Sequence, residues 1–184
     1  MKNFILTIAL VAVFLVLSSC ATNENTPTIK APSLYVYFGE EQRVQAIQLT
    51  TDWSYYDEHG NLIGSILFDS PHPLQKNEQD FDESTLQLVH RQDWMLDWQF
   101  IGLDFTYEPV DITVTRWRLE HLNATNIPEG APIELIAPTL QDYRIPIFDV
   151  GYDYIYMVIA RWQNGSSIYA FRANGGGHPE IGDS

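Results

Sequence analysis

Apolar and polar residues alternate with a period of two along much of the chain. Ile47, Leu49, Trp53 and Tyr55 share one parity, and Gln48, Thr50, Asp52 and Ser54 share the other. Successive side chains leave a strand on opposite sides, so this alternation predicts a strand with one buried face. Trp94, Leu96, Trp98 and Phe100 alternate with Asp97 and Gln99 in the same way. Tyr152, Tyr154, Tyr156, Val158, Ala160 and Trp162 form one face of a third run, and Ile155, Met157 and Ile159 form the other. A strand apolar on both sides belongs at the centre of a sheet. Residues 110–119 are rich in β-branched side chains, but their apolar parity changes between Val114 and Trp117. That change predicts a bulge or an edge strand. Residues 167–173 add a last strand.

The turn chemistry agrees with hairpins. Asp57-Glu58-His59-Gly60-Asn61 separates two strand-like runs, and Gln163-Asn164-Gly165-Ser166 separates the last two. Gly supplies the positive φ that such tight turns need. One helix is predicted, over residues 82–90. About eight to ten short strands with turn signals between them predict an all-β, antiparallel β-sandwich. Trp53, Trp98, Trp162 and Tyr154 are expected in its core. Residues 33–173 are its expected extent. The polar, Pro-containing residues 20–32 are expected to act as a flexible tether, and residues 174–184 as a disordered tail.

The N-terminus is read differently. Met1 and Lys2 are followed by an apolar stretch over residues 4–17, broken only by Thr7. A membrane-spanning helix needs about 20 residues, so this shorter run predicts a signal peptide over residues 1–19. Leu17-Ser18-Ser19-Cys20 resembles the lipobox of bacterial lipoproteins, in which an aliphatic residue and two small residues precede a Cys. The resemblance implies that the Cys20 thiol receives a diacylglyceryl group and that cleavage falls just before it. Small residues fit a peptidase cleft, and a thiolate is the nucleophile that takes the lipid. The expected address is therefore the extracytoplasmic face of the bacterial cell membrane, with the bilayer as partner through the lipid on Cys20. Cys20 is the chain's single Cys, so no intramolecular disulfide is available. Avoidance of further Cys favours a Gram-positive source.

A second resemblance rests on the domain. Residues 152–162, then Asn164-Gly165 and Tyr169-Ala170-Phe171, look like the closing hairpin of a group of small, uncharacterised extracytoplasmic proteins of Gram-positive bacteria. Trp53, Asp69-Ser70-Pro71 and Val114-Thr115-Arg116-Trp117 fit the same group. It implies an immunoglobulin-like sandwich and carries over no catalytic residue.

Charge and motif content narrow the function. The formal net charge is −14, with Lys+Arg 10 against Asp+Glu 24. A nucleic-acid partner would need a basic footprint, so that class is excluded. His59, His72, His90, His121 and His178 show no metal-ligand spacing, and no soft-ligand metal is expected. Glu78, Asp80, Asp82 and Glu83 alternate loosely like a calcium loop, but lack its Gly and its terminal Glu. Gly-x-Ser-x-Gly, Ser-x-x-Lys, phosphate-loop and dinucleotide fingerprints are missing, so no cofactor is expected. The Asn123 and Asn164 sequons read as coincidence, the latter as a turn. Aromatic residues are the remaining clue. Trp94 and Tyr107, near strand ends, and His72, in the turn-rich stretch 69–84, are the candidate binding residues. That stretch is expected to be an exposed loop with few apolar residues. The expected function is a non-catalytic binding or sensing module, with a cell-envelope protein or glycan as partner. Two alternatives stand beside it: a surface hydrolase acting on cell-wall sugar or peptide through acidic residues, and a structural or assembly subunit.

Overall fold

A computed structural model describes residues 30–39, 42–88, 100–139, 142–147 and 151–175, with backbone alone at 137–139. The strands are β1 (Leu34–Phe38), β2 (Gln42–Gln45), β3 (Ile47–Tyr56), β4 (Leu62–Phe68), β5 (Thr85–Gln87) and β6 (Phe100–Phe105). They continue with β7 (Asp111–Arg118), β8 (Ala131–Ile133), β9 (Ile136–Thr139), β10 (Asp142–Pro146), β11 (Tyr154–Trp162) and β12 (Gly165–Asn174). The fold is all-β, as the alternation predicts. One sheet has five strands in the order β2-β1-β6-β10-β9. The other has seven, in the order β4-β3-β12-β11-β7-β8, with β5 added beside β12. All pairings are antiparallel except β5 with β12. Among the described residues no helix is long and apolar enough to cross a membrane.

The two sheets share an apolar core. Leu34, Val36, Ile101, Leu103 and Ile145 enter it from the five-stranded sheet. Val114, Tyr154, Tyr156, Val158, Tyr169 and Phe171 enter it from the seven-stranded sheet. Tyr156 and Phe171, cross-strand partners in β11 and β12, stack at 4.9 Å with their planes 3° apart. The fully buried Tyr169 donates its hydroxyl to the Pro32 carbonyl at 2.7 Å, and burial pushes its pKa up to about 12. This bond holds the buried Pro32, the last residue of the expected tether, against the core.

The β11–β12 hairpin forms where the Asn-Gly signal predicts it, but its two turn residues are Gln163 and Asn164, one residue earlier than expected, and Gly165 already pairs with Trp162. Gly165 has φ +149, and a Cβ there would meet the Asp52 carbonyl oxygen of β3 at 2.0 Å. Only Gly lets β3 and β12 approach so closely at this corner.

The other face of the seven-stranded sheet is apolar as well. Leu49, Trp117, Ile155 and Ala170 form a second cluster there, joined by Leu74 and Phe81 from the segment between β4 and β5. That segment folds as two 3-10 helices, Pro73–Gln75 and Glu78–Ser84. The stretch 69–84 is thus not the exposed loop expected from its polar composition, because Leu74 and Phe81 are fully buried. The expected helix over 82–90 is also corrected. Residues 82–84 complete a 3-10 helix and 85–87 form β5, where Leu86 and Leu88 are buried around an exposed Gln87. Residues 89 and 90 lie outside the described residues.

Two face assignments differ from the alternation. Ile47, Leu49, Trp53 and Tyr55 do not share a face, because β3 is bulged at Leu49. Thr50 pairs with Ile168 while Gln48 pairs with the next residue, Tyr169. One extra residue inverts the parity. Ile47 and Leu49 therefore join the outer cluster, and Thr51 and Trp53 lie on the face of Ser167 and Tyr169. The bulge also brings Gln48 Nε2 to Thr51 Oγ1, whose neighbour is Ser167 Oγ at 3.1 Å. Two hydroxyls buried between strands are satisfied in this way. Conversely, β7 is neither bulged nor an edge. It pairs with β11 in continuous register from Asp111 to Arg118, and β8 covers its far side. The parity change arises because Val114 serves the inner cluster and Trp117 the outer one.

Smaller corrections concern chain ends. Trp162 is only partly buried, because it sits at the end of β11 beside the turn. Tyr152 precedes β11 and is exposed, with the Arg118 guanidinium 4.5 Å over its ring. Asn174 belongs to β12 and its carbonyl accepts from Leu88 N at 2.8 Å, so the tail does not begin there. Trp94, Leu96 and Trp98, the signal segment, Cys20 and residues 176–184 lie outside the described residues.

Candidate functional site

Aromatic side chains collect at one end of the space between the sheets. Trp162 ends β11, Trp53 and Tyr55 lie near the end of β3, Phe105 ends β6, and Tyr143 lies on β10. Trp53 meets Trp162 edge-on at 5.4 Å, and Phe105 meets Trp162 at 6.0 Å. Phe105 also meets Tyr143 at 6.3 Å, and Trp53 meets Tyr55 at 6.3 Å. Edge-to-face contacts of this kind add rigidity beyond their buried area.

The loop between β6 and β7 lies over this cluster. Trp162 Nε1 donates to the Tyr107 carbonyl at 3.0 Å, and Val110 N donates to the Arg161 carbonyl at 2.8 Å. Arg161 further pairs with Asp111. The Thr106 backbone N–H donates to the Ser33 carbonyl at 3.0 Å, and its hydroxyl accepts from Ser33 N at 2.9 Å. The loop is therefore held at both ends while the Tyr107 side chain stays 57% exposed.

Tyr55 is the chemically informative member. Its hydroxyl oxygen is buried and has no hydrogen-bond partner among the described residues. Burial raises its pKa, and the nearby Tyr107 phenol raises it further. The phenol thus stays neutral and able to donate. An unsatisfied hydroxyl carries a cost that a ligand oxygen or a water would relieve. Exposed ring and shielded hydroxyl together can stack against a flat, weakly polar group and hydrogen-bond its rim.

The structure places the residues expected from sequence in separate locations. Tyr107 is at the aromatic end. His72 is on the outer face, where its Nδ1 accepts from Leu74 N at 3.2 Å and its ring meets Trp117 edge-on at 5.0 Å. Its role there is to cap the first 3-10 helix. Trp94 and Cys20 lie outside the described residues. The sequence alternation assigned Trp53 and Trp162 to the core and did not mark Tyr55. A usable signal was present, because Tyr55 and Trp162 lie within two residues of turn residues Asp57 and Gln163. Side chains so near a turn line the end of a sheet.

The acidic run between β4 and β5 serves the fold. Asp80 Oδ2 accepts from Asn77 N at 3.0 Å. Arg172 pairs with Glu78 at 2.7 Å and with Asp153 at 2.6 Å, and Asp153 Oδ1 accepts from Gly175 N. Among the described residues no group of three or more His, Cys, Asp or Glu gathers as a metal site. Compared with known proteins, the chain matches no family model, no curated protein and no solved structure.

Proposed function

We propose that this protein is an extracytoplasmic bacterial lipoprotein, anchored through lipid on Cys20. Its immunoglobulin-like β-sandwich binds an envelope glycan without turning it over. The single observation that carries the binding assignment is an exposed Tyr107 ring near the buried Tyr55 hydroxyl, which has no hydrogen-bond partner among the described residues. A sugar ring offers an apolar face for stacking and a rim of hydroxyls, and both needs are met at this end. Leu17-Ser18-Ser19-Cys20 supports the anchor, and the two packed sheets support the sandwich.

Titration of the full chain with soluble peptidoglycan glycan fragments, followed by Trp fluorescence, tests the site. Saturable binding with a change in fluorescence is expected, because Trp162 bonds the Tyr107 carbonyl and Trp53 packs against Tyr55. Tyr107→Ala should weaken binding by about tenfold, or about 1.4 kcal/mol. Unaltered binding in that variant, or none in the parent, refutes the site. Cys20→Ala should leave an uncut precursor or release the protein from membranes. A Cys20→Ala chain that stays membrane-bound at normal mature size refutes the anchor.

A further inference from the structure

The seven-stranded sheet ends at β4, whose sequence Leu62-Ile63-Gly64-Ser65-Ile66-Leu67-Phe68 contains no charge and no Pro. Its outer side has no strand partner among the described residues. Gly64 and Ile66 are partly covered, but β4 keeps exposed apolar side chains along its length, with Leu62 60% exposed, Ile63 52%, Leu67 80% and Phe68 49%. The other strands at sheet ends are guarded. Arg43 lies on β2, Pro132 on β8 and Pro138 on β9, and each of those strands is shorter than β4. Charge, Pro and shortness are the ordinary defences against unwanted strand pairing. β4 has a bulge at Ile63, where Tyr55 pairs with Gly64 and Tyr56 with Leu62, but beyond it Ser65–Phe68 carry neither charge nor Pro, and an apolar edge of that kind marks a surface for pairing.

We propose that β4 receives an extended strand of another protein, apolar in its middle and carrying Lys or Arg at its ends. Charge selects that occupant. Residues 46–75 contain no Lys or Arg, while Asp52, Asp57, Glu58 and Asp69 surround the strand. Asp57 sits in the turn before β4, where its carboxylate accepts from Asn61 N at 2.7 Å. Asp69 directly follows β4 and accepts from the Thr50 hydroxyl at 3.0 Å. A partner strand therefore meets fixed carboxylates near both of its ends and an apolar stretch between them. Main-chain hydrogen bonds to the free edge supply affinity, and alternate side chains supply selectivity. A second copy of this chain brings the same carboxylates to both ends, against a net charge of −14 on each molecule. This surface adjoins the aromatic end, since Trp53 pairs with Ile66 and Tyr55 with Gly64, but it uses the opposite, free edge of β4.

The test uses the full chain in detergent and two short synthetic peptides with the same alternating Val/Thr middle. One is flanked by Lys and the other by Glu. At low ionic strength the Lys-flanked peptide is expected to bind at least about tenfold more tightly, with the difference shrinking as salt screens the carboxylates. Amide shifts should centre on residues 62–68. The double variant Ile63→Thr, Leu67→Thr keeps strand-forming residues at exposed positions. It should keep its melting temperature and lose about tenfold in peptide affinity. Tyr107→Ala should leave peptide binding unchanged, which separates this surface from the glycan site. Equal affinity for both peptides overturns the proposal, as does failure to bind either one or an unaffected double variant. A chain that sediments as a dimer, and becomes monomeric in the double variant, overturns it in favour of a second copy.

Discussion

The seven-stranded sheet is apolar on both faces, and the two faces are covered by different means. The inner face meets a second sheet, which contributes Leu34, Val36, Ile101, Leu103 and Ile145 over a broad surface. Among the described residues the outer face meets only short irregular segments. Leu74 and Phe81 come from the stretch between β4 and β5, and Leu119 and Leu122 follow β7. The clamp of Arg172 on Glu78 and Asp153 holds the first of these in place. Where the outer cover stops, the edge strand β4 is left bare. The contrast teaches that a strand can be buried on both sides without a third sheet, if a polar segment carries apolar residues at the right points. Such a cover should open separately from the core beneath it.

The largest expected effect lies in the inner cluster. Phe171→Ala removes a fully buried ring stacked on Tyr156, and should cost about 3–5 kcal/mol in urea unfolding. A native domain has only about 5–15 kcal/mol to lose. A cost no greater than that of an outer substitution would break the distinction between the faces.

Next is the outer cover. Phe81 is also fully buried, yet it is covered by a short segment and not by a second sheet. Phe81→Ala should cost about 3 kcal/mol, the lower end for a buried Phe. Amides of Glu78–Ser84 should then exchange faster, while those of β11 and β12 stay protected. Uniformly faster exchange would show that the outer segment and the core open as one unit.

The smallest effect is a pH dependence of the same cover. Burial lowers the His72 pKa from its ordinary 6.5. The folded chain thus holds His72 neutral, and the unfolded chain takes up the proton first as pH falls. The contribution is fully present above about pH 6.5, and is lost as pH falls from there toward the lower folded value. The protonated ring cannot accept the Leu74 N–H, so the cap at Pro73–Gln75 weakens. The Leu74 amide resonance should move as pH is lowered below 6.5, and should not do so in His72→Gln. An amide indifferent to pH in the parent would remove His72 from the account of the outer cover.

Much of the strand content was legible because it is written locally. The Tyr154–Trp162 run reads as a central strand from two apolar parities, and it pairs on both sides as such a strand must. Asn164-Gly165 reads as a hairpin, and it is one. The segment Glu78–Ser84 was not legible in the same way. Its residues are nearly all polar, and the single Phe81 has no periodic companions to reveal a buried face. At the aromatic end, Tyr107 was legible as a side chain near a strand end. Tyr55 also lies near a turn, but its buried hydroxyl without a partner among the described residues was not legible, because that depends on what surrounds it in space.

Antiparallel strands joined by tight turns are specified locally, since alternation and turn residues act over a few neighbours. The tertiary structure alone decided which side of each strand faces which core. A single bulge at Leu49 reverses the parity of β3, and alternation does not reveal where a strand gains one residue over its partner. It also decided that an acidic stretch becomes the lid of a second apolar cluster. Phe81 is buried against Ile155 and Ala170, residues far along the chain, and only folding brings them within reach of one another.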